Sequence, residues 1–328
     1  MTGFDIGEKQ IKIACYAKGV LHKTVCAPVP EGLVSDGAIK SMDAMADFIA
    51  QLAKENELPK KDAALVLPAS QVHVRTTTLA AMSDKLIAVN LPYEFKDYLT
   101  EEKSGYVFDY EILETQFDEG GNPKEQRLFA CAASKALIAK YEAMFSRAGY
   151  KLKSAVPEEF VFSRLCRGDT GMKLLADKVC AFVDLGEKAT NVHIVKCGEY
   201  DTKRSIDVGI LDLENVVADE MDCAIYTAIK HMQENTRGVM TGKRCSDLYN
   251  HLAVEIMKAA NFYNYNNRDV ELRDLYLIGG GTAIKPLTDT VEQVTGLNIH
   301  SVNELLYGRN ACEEGWLFLK AICTAANE

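Results

Sequence analysis

The sequence lacks the features that mark several common protein classes. Its net charge is −10 and its pI is about 5.3, and no long run of lysine and arginine interrupts this acidic balance, so a nucleic-acid partner held by a basic surface is not expected. No apolar stretch reaches the roughly 20 residues that cross a bilayer, and no charged leader precedes the first strand. We therefore expect a soluble cytoplasmic protein that does not itself insert into a membrane.

Motifs of familiar enzymes and metal sites are also absent. The ten cysteines include no Cys-x-x-Cys pair and the six histidines form no cluster, which excludes common zinc spacings. There is no Gly-x-Ser-x-Gly nucleophile motif and no phosphate loop ending in Gly-Lys-Ser/Thr. Most cysteines lie inside apolar segments, so we expect small buried side chains in a reducing compartment.

What the chain does contain is an internal repeat. The sequence Phe-Asp-Ile-Gly-Glu-Lys at residues 4–9 returns as Val-Asp-Leu-Gly-Glu-Lys at residues 183–188. Each copy continues as an alternating strand that ends in a turn containing Gly19 or Gly198. A single Asp-x-Gly usually just ends a strand, but a repeat with matched downstream turns indicates a duplicated unit.

Each copy places a carboxylate and a glycine at the end of a buried strand. Asp5 and Asp184 are the candidate metal ligands, because Mg²⁺ keeps most of its water and takes only one or two carboxylates. Gly7 and Gly186 would let the loop amides approach phosphate oxygens, since no Cβ stands in the way. The two turns therefore predict a site for a magnesium nucleotide.

Further candidates follow from position along the chain. Lys12 leaves the same turn as Asp5 and would supply the cation that a phosphate needs, although its alternating strand also fits a solvent-facing lysine. Thr190 offers a hydroxyl donor or is a plain strand residue. Gly279, Gly280 and Gly281 lie between a strand and a helix, which permits close approach to the α-phosphate and ribose and is also typical of an ordinary turn.

Hydrophobic periodicity predicts an α/β chain of three parts. Residues 1–71 with 154–170 form a first domain, residues 72–153 form an α+β insert within it, and residues 171–328 form a second domain that repeats the first. In the second domain, two long helices are predicted at about 213–233 and 246–264.

These features together resemble the actin-like ATPase superfamily. Two Asp-x-Gly hairpins in duplicated halves, a later strand–Gly-Gly-Gly–helix segment and the insert are similar to the branch that contains PilM of type IV pilus assembly and FtsA of cell division. Stretches similar to the PilM type extend over nearly the whole chain: Val34–Ile39, Leu67–Ser70, Met82–Leu86, Asp109–Leu113, Ala133–Lys135, Arg204–Gly209, Glu255–Tyr263 and Leu277–Leu287.

The resemblance implies a duplicated actin-like (ribonuclease H-like) fold that binds ATP and Mg²⁺ between its domains. It also implies a cytoplasmic scaffold on the inner face of the cell membrane, held there by the N-terminal cytoplasmic tail of a membrane-anchored pilus assembly protein, and it allows a homo-oligomer. Asp5, Gly7 and Lys12 match the first phosphate motif, Asp184, Gly186 and Thr190 match the second, and Gly209 with Gly279, Gly280 and Gly281 match the adenosine side.

The chain departs from this family in its turns. Glu8 with Lys9 and Glu187 with Lys188 stand where the family has small residues, and Ile210 follows Gly209 where a second glycine is common. We therefore expect ATP binding by turns that include Glu8, Lys9 and Glu187, with at most slow hydrolysis. Glu158 lies where the superfamily has its inter-domain connection and sometimes a water-positioning residue, so it is the candidate catalytic residue.

Two other functions stay open on the sequence. A metabolite kinase of the same superfamily would need a carboxylate base beside a sugar-sized pocket, and no local motif identifies one. The other alternative is a docking module that keeps the actin-like fold but no longer binds nucleotide. For the leading interpretation, the insert is the expected partner surface, because it departs from the duplicated plan and offers a groove or sheet edge to an extended peptide; otherwise it only packs against the first domain.

Overall fold

A computed structural model describes residues 1–167, 174–306 and 308–326. The chain forms two compact units, one built from Met1–Val161 and from Lys320 onward, the other from Phe162–Leu319. The predicted domain boundary between residues 170 and 171 lies outside the described residues. The chain passes from the first unit to the second within one helix and returns within another, so the first unit is built from two separate segments of the chain.

The first unit contains most of the strands. Its elements in chain order are β1 (Thr2–Ile6), β2 (Gln10–Ala17), β3 (Val20–Pro28), β4 (Val34–Ser35), β5 (Ala38–Ile39), α1 (Met42–Glu55), β6 (Asp62–Leu67), β7 (Val72–Ala80), α2 (Asp84–Glu94), β8 (Tyr106–Phe117), β9 (Pro123–Ser134), α3 (Lys135–Arg147), β10 (Lys151–Pro157) and α4 (Glu158–Arg167), the last of which continues into the second unit.

The second unit repeats this plan without the insert. Its elements are β11 (Val179–Leu185), β12 (Thr190–Lys196), β13 (Glu199–Ile206), α5 (Ile210–Met221), α6 (Ile225–Glu234), α7 (Lys243–Asn266), β14 (Asp274–Ile278), α8 (Lys285–Thr295), β15 (Asn298–His300) and α9 (Gly315–Ala325), whose second half belongs to the first unit.

Strand order confirms the duplication that the sequence predicts. The first unit has the order β10-β6-β1-β2-β3, and the second has β15-β14-β11-β12-β13. In the first sheet, β1 pairs antiparallel with β2 and parallel with β6. In the second sheet, β11 pairs antiparallel with β12 and parallel with β14. The parallel pairs leave both faces to be covered, and every residue of β11 is accordingly buried.

The two copies agree in local detail as well. The β2–β3 pair has an irregularity between Cys15 and Tyr16, and the β12–β13 pair has one between Ile194 and Val195, at the equivalent place. The turns that follow have matching positive φ angles, 52° and 78° at Lys18-Gly19 and 52° and 77° at Cys197-Gly198. A two-residue hairpin turn with positive φ at both central residues is favoured because its backbone twist matches the twist of the two strands that it joins.

One predicted helix is wrong in extent. The segment predicted as a single helix at about 213–233 forms two, because Asp222 adopts a left-handed conformation with φ 49° and ends α5. The Cys223 amide then bonds back to the Ala218 carbonyl at 3.0 Å. No glycine or proline marks this break, so the sequence carries little signal for it.

The insert has its own sheet, with strand order β7-β9-β8. Helix α2 covers one face of it: Ile87, Leu91 and Phe95 are buried against Leu128 and Ala130 of β9. Strands β8 and β9 form a long antiparallel hairpin. Because β8 is last in the strand order, its outer edge is a sheet edge.

Candidate functional site

The first phosphate-type turn joins β1 to β2. Asp5 lies near the end of β1, is mostly buried, and pairs in register with Lys12. A Cβ on Gly7 would lie 3.6 Å from Lys12 Nζ and 3.1 Å from the Gln10 carbonyl oxygen. The Lys12 ammonium therefore lies over the Gly7 turn, and Lys12 is half-buried rather than fully solvent-facing.

A lysine that the sequence analysis missed lies beside this turn. Lys320 Nζ is 4.0 Å from Asp5 Oδ2 and 3.8 Å from Glu158 Oε2, and all three side chains are largely buried. Helix α9 packs closely against β1. The Gly3 backbone lies so near the Ala321 carbonyl oxygen that a Cβ at position 3 would overlap it. The only sequence signal for Lys320 is a lone lysine in the otherwise apolar helix α9.

Glu158 begins α4 directly after β10 and is mostly buried. The pairing with Lys320 holds its carboxylate near Asp5, in the same unit and at the same end of the sheet. A carboxylate placed this way can accept a hydrogen bond from water. Its catalytic role remains a prediction.

The charged residues of the first turn have neighbours of their own. Glu8 Oε1 accepts a 3.2 Å hydrogen bond from the Gly37 amide, and the Gly37 carbonyl accepts one from Gln71 Nε2 at 2.9 Å. Tyr141 on α3 donates to Gln71 Oε1 at 2.6 Å. The Lys9 carbonyl accepts from the Val29 amide at 2.9 Å. A bulky Glu8 is tolerated in this turn because its carboxylate reaches the adjacent loop.

The second turn, at the end of β11, is fixed by the start of α5. Asp184 is mostly buried and pairs in register with Asn191. The Gly186 carbonyl accepts from the Ile210 amide at 3.0 Å, and the Glu187 carbonyl accepts from the Leu211 amide at 2.9 Å. The first amides of the helix therefore hold the turn in place.

Glycines surround the Asp184 turn where side chains would not fit. A Cβ at Gly209 would overlap the Glu187 carbonyl oxygen, and one at Gly279 would overlap Asp184 Oδ1. A Cβ at Gly281 would come within 2.7 Å of Leu185 Cβ. Gly280, which lies between Gly279 and Gly281 in the chain, is exposed. The structure thus brings Gly209 and the glycine triplet to the same end of the second sheet as Asp184.

Thr190 has a different position from the one expected of a phosphate donor. It is fully buried, and its Oγ1 donates a 2.9 Å hydrogen bond to the Val208 carbonyl. This hydroxyl joins β12 to the segment that leads into Gly209. We therefore leave Thr190 out of the ligand contacts proposed below.

The carboxylates at the two strand ends suit magnesium held together with phosphate. Asp5 and Asp184 each offer one carboxylate beside a glycine-containing turn, and Mg²⁺ needs no more than this when water and phosphate complete its shell. Among the described residues, no group of three or more His, Cys, Asp or Glu side chains is placed to hold a metal. At either strand end, a single carboxylate would leave the remaining ligands of a magnesium ion to water and phosphate.

No helix within residues 1–167, 174–306 and 308–326 is both long enough and apolar enough to span a bilayer.

Solved structures show which fold class this is. The chain is similar to a PilM-PilN type IV pilus biogenesis complex, with a TM-score of 0.82 and 19% identity over 99% of this chain and 97% of that one. The ethanolamine utilization protein EutJ from Carboxydothermus hydrogenoformans gives 0.61 and 13% over 99% and 88%. Ta0583, an archaeal actin homologue in complex with ADP, gives 0.51 and 11% over 98% and 97%. The fold is that of the actin-like ATPases, as predicted.

The family follows from the sequence match. A family model described as type IV pilus assembly protein PilM matches residues 3–308. The chain therefore belongs to the PilM family of type IV pilus assembly proteins, which confirms the resemblance drawn from the sequence. No curated protein matches the chain.

Proposed function

We propose that this chain is an ATP-binding cytoplasmic scaffold of a type IV pilus or related secretion machinery. The observation that carries the proposal is the repeated turn: Asp5 and Asp184 occupy equivalent strand ends, each followed by a glycine turn. Membership of the PilM family and the ADP complex of Ta0583, which has the same fold, support it.

The proposed ligand contacts follow from the positions described above. Asp5 and Asp184 would hold Mg²⁺, which would neutralise phosphate charge. The turns at Gly7 and Gly186 would give amides to phosphate oxygens, with Lys12 as the cation. Gly209 with Gly279, Gly280 and Gly281 would face the adenosine side, because close backbone approach needs positions without side chains.

Ligand-induced stabilisation of the full chain tests nucleotide binding. Nucleotide that binds the folded state alone raises stability by about 2.7 kcal/mol at a concentration of 100 times its Kd. We expect ATP with Mg²⁺ to raise the melting temperature by several degrees and ATP with EDTA to raise it less. No shift at saturating ATP and Mg²⁺ would favour the nucleotide-free docking module.

Slow hydrolysis is the second part of the proposal. The two phosphate-type turns carry bulky charged side chains, Glu8 with Lys9 and Glu187 with Lys188, where the family has small residues. We expect steady-state turnover well below about 1 s⁻¹, the lower end of the ordinary enzyme range. Turnover at or above that rate would show that the site is an efficient ATPase.

The insert is the proposed docking surface for the N-terminal cytoplasmic tail of a membrane-anchored pilus assembly protein. On α2, Leu86, Val89 and Tyr93 are 53%, 62% and 56% exposed and follow helical spacing, so they form one apolar stripe. Ile87 and Leu91 face the sheet instead. The stripe and the outer edge of β8 together offer apolar contacts and main-chain partners to an extended peptide.

Substitutions on this stripe test the docking site in the full chain. We expect Val89→Asp with Tyr93→Ser to weaken binding of a tail peptide from a pilus membrane protein encoded beside this chain by at least tenfold in fluorescence anisotropy, with or without ATP. Tyr226→Ser is the matched control, because Tyr226 is 81% exposed on α6 of the second unit. Undiminished affinity in the stripe variant would place the docking site elsewhere.

A further inference from the structure

One end of the first sheet carries a concentration of exposed lysines. It is the end at which β1, β6 and β10 begin and at which β2 turns into β3, opposite to the end that holds Asp5 and Gly7. We call it the basic end, defined by Lys18, Lys23, Lys54, Lys60, Lys61, Lys151 and Lys153, all of which are exposed.

Strand register and direct contacts place these lysines on one contiguous surface. Thr2 at the start of β1 pairs with Ala63 in parallel, and Lys151 at the start of β10 pairs with Asp62. Lys23 Nζ donates a 2.6 Å hydrogen bond to the Asn56 carbonyl in the loop after α1. The Lys151 amide donates to the Lys61 carbonyl at 2.9 Å. The three segments that carry the lysines therefore meet at this end.

The charge of the basic end is opposite to that of the chain. Residues 18–23, 54–62 and 149–153 contain seven lysines against three acidic residues, Glu55, Glu57 and Asp62. This is a local excess of four positive charges in a protein of net charge −10. Because salt screens charges beyond about 8 Å at physiological ionic strength, an approaching surface experiences the nearest face and not the net charge.

The chemistry of the patch favours a diffuse anionic surface over a carboxylate in a fixed position. All the cations of these segments are lysines, which are hydrated point charges on flexible stems, whereas arginine provides the planar fork that binds one carboxylate bidentately. Anionic lipid attracts each nearby lysine enough to raise partitioning about fivefold. Four excess charges alone would bind lipid weakly. Once a partner tethers the chain to the membrane, the same charges would be enough to orient it, because tethering gives the lipid surface a millimolar effective concentration at the chain.

We propose that the basic end contacts the anionic phospholipid surface of the cytoplasmic leaflet, so that the Asp5–Gly7 turn faces away from the bilayer. Only the tether rests on the proposed docking to a membrane-anchored partner; the lipid contact is a property of the chain alone. The proposed ligand of the basic end is a lipid surface that contains phosphatidylserine or phosphatidylglycerol. The alternative ligand is an acidic protein segment.

Co-sedimentation of the full chain with sucrose-loaded vesicles tests this, without partner or nucleotide. At low salt and millimolar lipid, we expect binding to phosphatidylcholine vesicles that contain phosphatidylserine and not to phosphatidylcholine alone, and we expect added salt to reverse it. The triple variant Lys60→Gln, Lys61→Gln, Lys151→Gln should reduce partitioning on the order of 100-fold, about fivefold for each lysine.

A second triple variant controls for net charge. Lys230→Gln, Lys243→Gln, Lys285→Gln changes the total charge equally at exposed helical positions of the second unit, and we expect partitioning close to that of the unaltered chain. Equal loss in both triples, or no preference of the unaltered chain for anionic vesicles, would overturn the proposal. The ATP thermal shift and the tail-peptide affinity use neither vesicles nor these lysines, so failure there is distinguishable from failure here.

Discussion

Gly279 and Asp184 lie so close together that position 279 admits no side chain. The Gly279 backbone has φ 85°, and a Cβ built on it would overlap Asp184 Oδ1. The end of β14 is therefore held against the carboxylate at the end of β11. The glycine serves two purposes, because it adopts an extended conformation with positive φ that other residues rarely adopt, and it leaves room for the carboxylate.

Gly279→Ala should therefore lower both stability and nucleotide affinity. We expect a loss of about 1–3 kcal/mol in the free energy of unfolding from backbone strain and overlap, together with weaker ATP binding because Asp184 must shift. Gly296→Ala is the matched control, since Gly296 also has positive φ, 64°, but nothing lies within 4 Å of its Cβ position. Denaturant unfolding and calorimetry compare the two. Equal effects on both would contradict a special role for the Gly279 contact.

Lys12→Met tests the cation over the first turn. Methionine keeps the apolar stem and removes the charge, so the fold should persist while ATP affinity falls roughly tenfold or more, as loss of a charge-assisted hydrogen bond implies. Lys40→Met, at an exposed position, should leave affinity unchanged. If both variants bind ATP as the unaltered chain does, Lys12 is only a surface lysine.

Lys320→Met should destabilise the first unit. It removes the ammonium that lies within 4.0 Å of both Asp5 and Glu158, and breaking a largely buried ion pair is costly, here about 2 kcal/mol. Lys285→Met, whose pair with Asp289 is exposed, should cost at most about 0.5 kcal/mol. Combining Lys320→Met with Glu158→Gln should recover part of the loss. Additive losses would show that the two residues do not interact.

Thr190→Val separates a structural hydroxyl from a ligand. Valine has the same shape but leaves the Val208 carbonyl without this donor, so unfolding free energy should fall by about 1–3 kcal/mol while ATP affinity changes little. Thr190→Ser keeps the hydroxyl and should restore most of the difference. A large loss of ATP affinity at unchanged stability would instead support the phosphate contact predicted from the sequence.

The duplicated fold could be predicted because short sequence patterns, each within a few neighbouring residues, indicate its strands and turns. The repeated Asp-x-Gly turn and the matched turns at Gly19 and Gly198 fix strand, turn and strand in each copy, and the sheets then follow the same order. The positions of Asp5 and Asp184 at strand ends follow from the same patterns. Residues near each other in sequence determine all of these features.

Tertiary contacts account for what the sequence did not show. Lys320 reaches Asp5 from the far end of the chain, and no local spacing connects them. The contact of Glu8 with Gly37 explains a charged turn that otherwise looks only like a departure from the family. The break at Asp222 depends on a left-handed residue that is neither glycine nor proline, so helical periodicity alone extends the helix through it.

The central claim, that the Asp184 turn binds a magnesium nucleotide, is tested most directly by calorimetry of ATP with Asp184→Asn. Asparagine keeps the shape of this mostly buried side chain and removes its charge, so the fold should be retained. We expect Mg²⁺-dependent ATP affinity to fall by about 100-fold, near 2.7 kcal/mol, with little change in EDTA and none in the exposed control Asp289→Asn. Unchanged affinity of Asp184→Asn for ATP with Mg²⁺ would contradict the account.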